Sequence, residues 1–208
     1  MAIFWALRVD ASDFPDPELD PPAAAGGQPQ AAVLAGGCFW CTEAVFKELH
    51  GLLSVRPGYA GGTAETANYD AVCSGTTNHA EAIEVRYDPT RISFGQILKV
   101  FFSVAHDPTQ LNRQGNDRGR QYRSAVFCGD GGQRKVAAAY IRQLERDGVY
   151  SAPVRTTLEQ METFFEAEAH HQDYAARNPA QPYVMHVSKP KVDALRAHFR
   201  DRLKRQKA

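Results

Sequence analysis

Two cysteines three residues apart, Cys38 and Cys41, stand in the stretch AAVLAGGCFWCTEAVF at positions 31–46. The apolar run Ala31–Leu34 before them reads as a buried strand, and Gly36-Gly37 breaks it. After them Val45, Phe46 and Leu49 fall on one side of a helix. A thiol at a strand-to-helix junction lies near free backbone N–H groups and the positive end of the helix dipole. That setting favours thiolate over thiol. The second thiol shares the helical face and is within reach of a disulfide to the first. Most free cysteines are small buried hydrophobes, but this spacing at this junction argues for redox chemistry at Cys38, with Cys41 as its partner.

Glu81 is the second residue with chemical potential. It opens the alternating run Glu81–Tyr87 in phase with Ile83, Val85 and Tyr87, while Glu84 and Arg86 take the other face. A carboxylate at the head of an apolar face is desolvated, which raises its pKa and makes it a usable general acid. If the strand starts one residue later, Glu81 is a solvated edge charge instead, and phase alone leaves both readings open. Phe39 and Trp40 are core aromatics or an apolar wall for a methyl or thioether group. Tyr69, Asp117 and Tyr122 sit in or beside polar loops. His170 and His171 are adjacent, so on a helix they face different directions and suit exposed or capping positions better than a metal site. The other two cysteines, Cys73 and Cys128, are solitary, whereas a four-cysteine zinc site usually needs two close pairs.

The elements that must position these groups follow from periodicity. Leu52–Val55 reads as a short strand ending in a glycine loop, Pro57–Gly62. A brief helix is expected near Tyr69–Cys73. Ser93 with Gln96 makes a capping box, and Phe94, Ile97, Leu98, Phe101, Phe102 and Ala105 form a buried helix face that His106-Asp107-Pro108 ends. A polar loop, Thr109–Arg120, leads to a strand at Tyr122–Cys128. Residues 132–147 are helical with Val136, Tyr140, Ile141 and Leu144 inward, stopped by Gly148. Val154–Leu158 is a short strand, Ala167–Arg177 holds a short helix, and a last helix begins at Pro190 with Val192, Leu195, Phe199 and Leu203 on one side. The order strand, helix, strand, strand, helix, strand is the split βαβ pattern. The fold class expected is α/β: a two-layer sandwich with a mixed sheet, a ferredoxin-like core and long irregular loops.

Composition sets outer bounds. The 208 residues are 43% hydrophobic and 23% charged, with formal net charge zero. A full core is available, and there is no electrostatic case for nucleic acid or an anionic membrane surface. No apolar run is long enough to span a bilayer, and MAIFWALRVD lacks the basic leader and long apolar core of a signal peptide. The cytoplasm is the expected compartment, where a close cysteine pair is catalytic or metal-binding rather than structural. Residues 1–30, rich in Pro, Ala, Asp and Gly, read as a tail, extended or disordered, that either lies over the domain surface or, the better reading, is a solvated leader; residues 31–208 read as one catalytic domain.

Several motifs then fall in order: Gly37-Cys38-Phe39-Trp40, Gly58-Tyr59-Ala60-Gly61-Gly62, Tyr69, Cys73-Ser74-Gly75, His79-Ala80-Glu81, His106-Asp107-Pro108, and Gln114-Gly115-Asn116-Asp117 running into Gln121-Tyr122-Arg123-Ser124. With these the chain resembles the peptide methionine sulfoxide reductase A family from about residue 33 to about residue 200. The resemblance implies that Cys38 attacks the sulfoxide sulfur and becomes a sulfenic acid, and that Glu81 protonates the oxygen with Tyr69 and Tyr122 as further donors. It implies that Phe39 and Trp40 hold the substrate's ε-methyl group, with His79 also on the substrate, and that Asp117 anchors the site loop. It also implies action on the S epimer, free or protein-bound, in repair of oxidised proteins. No bound cofactor is implied; thioredoxin is the external reductant and partner. Separately from the resemblance, a monomer is the expected state. Many members have Gly at the position of Cys41 and a resolving Cys in the C-terminal segment. Here Tyr183-Val184 stands where some relatives have Tyr-Cys, and no Cys follows Cys128. The resemblance is therefore to the Cys-Phe-Trp-Cys subset, with Cys41 resolving and Cys73 the other candidate. Asn78 departs from the usual Gly before His-Ala-Glu, which bears on the loop before Glu81.

Two rival readings remain at this level. A thioredoxin-type thiol–disulfide oxidoreductase shares strand, CxxC and helix. Against it, Phe39-Trp40 fills the space between the thiols, and no thioredoxin-like βαβ start precedes residue 31. The other rival is a metal- or peptide-binding module that uses the thiols as ligands.

Overall fold

The computed structural model describes residues 7, 9–10, 13–21 and 27–204. The apolar run after Gln30 forms β1 (Gln30–Gly36), and the helical period after Cys38 forms α1 (Phe39–Lys47). There follow β2 (Leu52–Ala60), α2 (Tyr69–Cys73), β3 (Ala80–Tyr87) and α3 (Phe94–Val100). A small hairpin, β4 (Arg113–Gln114) and β5 (Asp117–Arg118), precedes β6 (Ser124–Cys128) and α4 (Gly131–Arg146). The chain closes with β7 (Thr157–Gln160), β8 (Phe164–Glu166), α5 (Tyr174–Arg177) and α6 (Lys189–His198).

Six strands make one sheet in the order β7-β6-β1-β3-β2-β8. β6 and β7 run parallel, and the other neighbours antiparallel. β3 lies between β1 and β2, so the β1–α1–β2 crossover is split by an antiparallel strand, as the element order predicts. Alternation along β1 sends Leu34 to the helix face and Val33 and Ala35 to the other. The helix face carries the main core, including Val45, Phe46, Ile83, Val85, Ile97, Leu98, Phe101, Tyr140 and Leu195. The reverse face is lined by small residues, Ala35, Ala60, Ala80, Ala82 and Ala125, around Phe127 and under Met161 and Phe164.

Several expectations need correction. Pro57–Ala60 is strand, not loop: the residues continue β2 and pair with β3, Tyr59 facing Glu81. Gly58 is there for close approach. A Cβ on it would lie 2.3 Å from both the Phe164 ring and the Phe165 carbonyl of β8. Only Gly61-Gly62 turn the chain, Gly61 at φ +92°. Tyr122 lies in a 3-10 turn, Arg120–Tyr122, ahead of β6. The strand expected at Val154–Leu158 is centred later, at Thr157–Gln160, and Ala167–Arg177 is helical only over Tyr174–Arg177. The capping box at Ser93 is present, but the buried helix widens into a π-helical turn at Phe101–Ala105 before His106. A second such turn, Val184–Ser188, leads into α6, which ends at His198 rather than running on to Leu203.

The N-terminal segment is the largest difference. Residues 13–21 are laid along the body rather than free in solvent. Phe14 is buried with its ring edge-on to Tyr140 and Tyr150. Tyr140 Oη donates to the Pro15 carbonyl at 2.6 Å. Asp20 accepts from Gly95 N at 3.0 Å and from the Ser93 hydroxyl, so a distant carboxylate joins the cap of α3. The rest of residues 1–12 and 22–26 lies mostly outside the described residues. Removing a fully buried ring leaves a cavity that a two-tyrosine slot cannot close. Phe14→Ala is expected to cost about 3 kcal/mol in urea denaturation; a loss below about 1 kcal/mol, the range of surface changes, would return the segment to a solvated leader.

Candidate active site

Gly36 and Gly37 end β1, and Gly37, at φ +87°, turns the chain so that Cys38 becomes the N-cap of α1. A Cβ on Gly37 would sit 2.5 Å from Gln114 Cβ, so β4 packs directly on this turn. Gln114 in turn holds Asp107, accepting from its N–H and donating to its carbonyl. The junction thus joins three parts of the sequence at Cys38.

The first N–H of α1 does not turn to the thiol. Phe39 N donates to Glu81 Oε2 at 3.0 Å. Glu81 is buried, in phase with Ile83 and Val85 on the helix face, which decides between the two readings its position left open. Burial pushes its carboxyl up to about 8, aided by the charges of Asp117 and Cys41 and opposed by the Phe39 N–H. Cys38 is 8% exposed. Burial drives its thiol well above the ordinary range, and the neighbouring Cys41 and Glu81 add to the rise. The expected thiolate at Cys38 is therefore corrected to a thiol at rest: desolvation outweighs the helix dipole, and Glu81 uses the nearest amide. Cys41 moves the other way, down to about 7, through its hydrogen bond with Cys38 and, against burial, with help from Lys191 and Tyr183. Both cysteines are free thiols.

Tyr69, the first residue of α2, and Tyr122 are both half-buried, and Glu81 and Cys38, when ionised, act on both hydroxyls. Burial raises both phenols far above neutrality, so each stays a hydrogen-bond donor. Asp117, in β5, accepts from the Tyr183 hydroxyl, and Cys41 Sγ lies 3.8 Å from the same oxygen. Phe39 is buried and Trp40 half-buried beside it, ring centroids 6.4 Å apart.

His79 is not part of this group. It is fully buried, with Nε2 2.9 Å from the Thr63 carbonyl and its ring edge-on to Tyr59 and Phe165. A Cβ on Gly62 would meet that ring at 2.4 Å. His79 supports the turn ahead of Glu81 and is wholly enclosed by these contacts, a correction to its expected place on the substrate.

Residues 166–183 supply a wall of the site that no motif in the sequence announces. Trp40 stacks on Tyr174 at 3.7 Å with an interplanar angle of 10°. Trp40 Nε1 donates to His171 Nδ1 at 3.2 Å, and the His171 ring also lies 5.2 Å from Phe39 and 4.4 Å from Tyr69. His171 was expected to be exposed or capping; it is buried at the centre of these aromatics. Two carboxylates tie the wall down. Glu168 accepts from Tyr59 Oη and from Tyr69 N, and Glu43 of α1 accepts from Asp173 N at 2.9 Å. Apart from the short helix expected within Ala167–Arg177, no periodicity marks this segment, and nothing local points its side chains at Cys38.

A buried thiol beside a neutral buried carboxyl, phenol donors and an aromatic wall is a site for reducing a polar oxygen on an apolar centre. Comparison with known proteins agrees. A family profile described as peptide methionine sulfoxide reductase matches residues 30–203. The chain belongs to the peptide methionine sulfoxide reductase family. It is 49% identical over 195 residues to peptide methionine sulfoxide reductase MsrA 2 of Synechocystis sp., covering 93% of this chain and 91% of that one. It is 47% identical to MsrA of Deinococcus radiodurans over 86% of each chain. Among solved structures, methionine sulfoxide reductase A of Corynebacterium diphtheriae superposes with a TM-score of 0.62 at 33% identity, over 77% of this chain and 83% of that one. Reduced Mxr1 of Saccharomyces cerevisiae gives 0.65 at 30% identity, over 78% and 92%. A methionine sulfoxide reductase of this kind is an oxidoreductase that reduces methionine sulfoxide in peptides, and its fold is the α/β fold described above. The plain disulfide exchanger and the thiol-ligated metal module are thereby set aside. No described helix is long and apolar enough to cross a membrane.

The neutral Glu81 has a consequence for stability. In the unfolded chain its carboxyl ionises near 4.5, whereas in the fold it keeps its proton to about 8. The raised folded value means that its contribution is complete below pH 4.5 and is withdrawn as pH rises toward 8. Glutamine still accepts the Phe39 N–H and has no proton to lose. At pH 8 Glu81→Gln is expected to exceed wild type by roughly 4 kcal/mol in urea denaturation, with the difference gone at pH 4. Equal stability at pH 8 would mean that Glu81 reaches water.

Proposed function

We propose that this reductase acts on the S epimer of methionine sulfoxide with Cys38 as nucleophile and Glu81 as general acid. The observation that carries the reading is the bond from Phe39 N–H to Glu81, which holds a protonated carboxyl at the first turn of the helix that Cys38 caps. Glu81 lends its proton to the sulfoxide oxygen as Cys38 attacks the sulfur, and takes up the proton that the thiol gives off. Tyr69 and Tyr122 donate to the same oxygen. The S–O bond breaks, the oxygen passes to Cys38 as a sulfenic acid, and methionine leaves. The sulfur of the substrate is reduced by two electrons and Cys38 is oxidised by two.

Phe39 and Trp40 hold the substrate methyl group, with the Trp40 ring fixed by Tyr174 and His171. Asp117 anchors the β4–β5 loop to Tyr183. Cys41 is the resolving thiol: it is buried on the same turn as Cys38, and its proton is the more readily lost of the two. Cys41 attacks the sulfenic sulfur, water leaves, and thioredoxin reduces the Cys38–Cys41 disulfide. Free and protein-bound sulfoxides are both substrates, and the setting is repair in the cytoplasm. Residues 31–208 act as one catalytic domain, with the N-terminal segment strapped to it.

With Cys41→Ser, one methionine per chain is expected from the S epimer, none from the R epimer, and no turnover with thioredoxin. Full turnover in that variant would move the resolving role to Cys73. Reduction of the R epimer would overturn the stereochemical assignment.

A further inference from the structure

The Cys41 thiol donates to Tyr183 Oη, with sulfur and oxygen 3.8 Å apart. The same hydroxyl donates to Asp117 Oδ2. Thiol, phenol and carboxylate thus stand in one line of hydrogen bonds, each donating to the next. The thiol end is buried, 1% exposed, and the carboxylate end is half-buried. Such a line carries a proton along its whole length by short hops while no heavy atom moves.

The fold fixes each member. Cys41 is on the first turn of α1. Asp117 of β5 pairs with Gln114 of β4, and Gln114 packs on the Gly37 turn that precedes Cys38. The Tyr183 ring stands edge-on to Trp40, centroids 6.1 Å apart at 81°. Burial raises its phenol, so Tyr183 can pass a proton on but does not end as a phenolate.

Other groups near the thiols are already committed. Glu81 keeps its proton at neutral pH and takes the Phe39 N–H. Lys191 Nζ donates to the Ala105 carbonyl at 2.8 Å, and an ammonium has no lone pair to offer. His106 Nδ1 meets the Phe101 carbonyl and its Nε2 the Ser124 hydroxyl. His171 Nδ1 accepts from Trp40, which leaves the ring proton on Nε2. Asp107 is taken by Thr109 and Gln110. Asp117 is the carboxylate joined to the Cys41 thiol by contacts of known geometry.

We propose that Tyr183 is a catalytic residue of the resolving step, handing the Cys41 proton to Asp117 as Cys41 attacks the Cys38 sulfenic acid. The step balances without another reagent. The thiol proton moves to Tyr183 Oη as the phenol proton moves to Asp117. The Cys41 sulfur forms an S–S bond to Cys38, the S–OH bond breaks, and the hydroxyl leaves as water with the proton of Glu81. Cys41 is oxidised as Cys38 is reduced. Asp117 then gives its proton to solvent and Glu81 regains one. The relay deepens the proposed mechanism and rests on Cys41 being the resolving thiol.

The test uses full-length chain in one turnover with S-methionine sulfoxide, timing methionine release and disulfide formation from pH 5 to 9. Tyr183→Phe keeps the ring and removes the hydroxyl. Asp117→Asn still accepts the Tyr183 hydroxyl but cannot take its proton. At pH 6 each variant is expected to slow disulfide formation about a hundredfold more than methionine release, with the sulfenic acid trapped by a cyclic dione in the interval. The deficit relative to wild type should shrink as pH rises and solvent base removes the thiol proton instead; the titration of Glu81 is common to both chains and cancels in the ratio. Two rates that fall together, or a deficit equal at every pH as after loss of packing, overturn the relay. Cys41→Ser separates the two levels. If it still forms a disulfide, the resolving assignment fails and takes the relay with it. If it stalls at the sulfenic acid while Tyr183→Phe resolves like wild type, the relay alone fails.

Discussion

The hydrogen bond from Phe39 N–H to Glu81 Oε2 is the contact on which the site depends. It joins the head of α1 to the start of β3, two elements that the sequence separates by β2 and α2 with their loops. A helix start leaves its first amides without intrahelical partners. Here one of them is given to a side chain at the base of the pocket. That choice sets three properties together: it fixes the depth of Glu81, it removes the nearest amide from Cys38, and it places an acid beside a thiol.

Burial does the remaining electrostatic work. A dry site raises acids and lowers bases, and the two thiols respond differently because their neighbours differ. Cys38 faces Glu81 and stays a thiol, while Cys41 has Tyr183 on one side and the Lys191 charge within reach. Order is maintained from outside by fixed charges and dipoles. Glu168 pins Tyr59 and Tyr69 to the wall, Glu43 pins Asp173, and the Trp40–Tyr174 stack closes the aromatic side. Each tie crosses a long stretch of sequence, so the pocket's shape is a property of the packed fold rather than of any one segment.

That distance explains what could be read from the chain. The strand–glycine–CxxC–helix junction, the capping box at Ser93 and the split βαβ order rest on neighbours in sequence, and they are present in the structure. Gly58 was misread because a glycine's local signal is a turn, whereas its reason is the approach of β8 from over a hundred residues away. For the tail, prolines and acids favour a solvated leader over a segment laid on the surface; Asp20 caps α3 and Phe14 fills a slot, neither of which composition reveals. His171, Tyr174 and Tyr183 lie in a stretch without period, and Lys191 in an ordinary amphipathic helix. Their partners are all distant, and no local rule marks them.

The central claim is that a carboxyl still protonated near neutral pH drives the first step. It is tested most directly by the rate of the single-turnover release of methionine from the S epimer, measured across pH for wild type and Glu81→Gln. The ratio of wild-type to variant rate is expected to be large and constant at low pH and to fall about tenfold per unit above the Glu81 value of about 8. A ratio near one at every pH, or one that grows as pH rises, would contradict it.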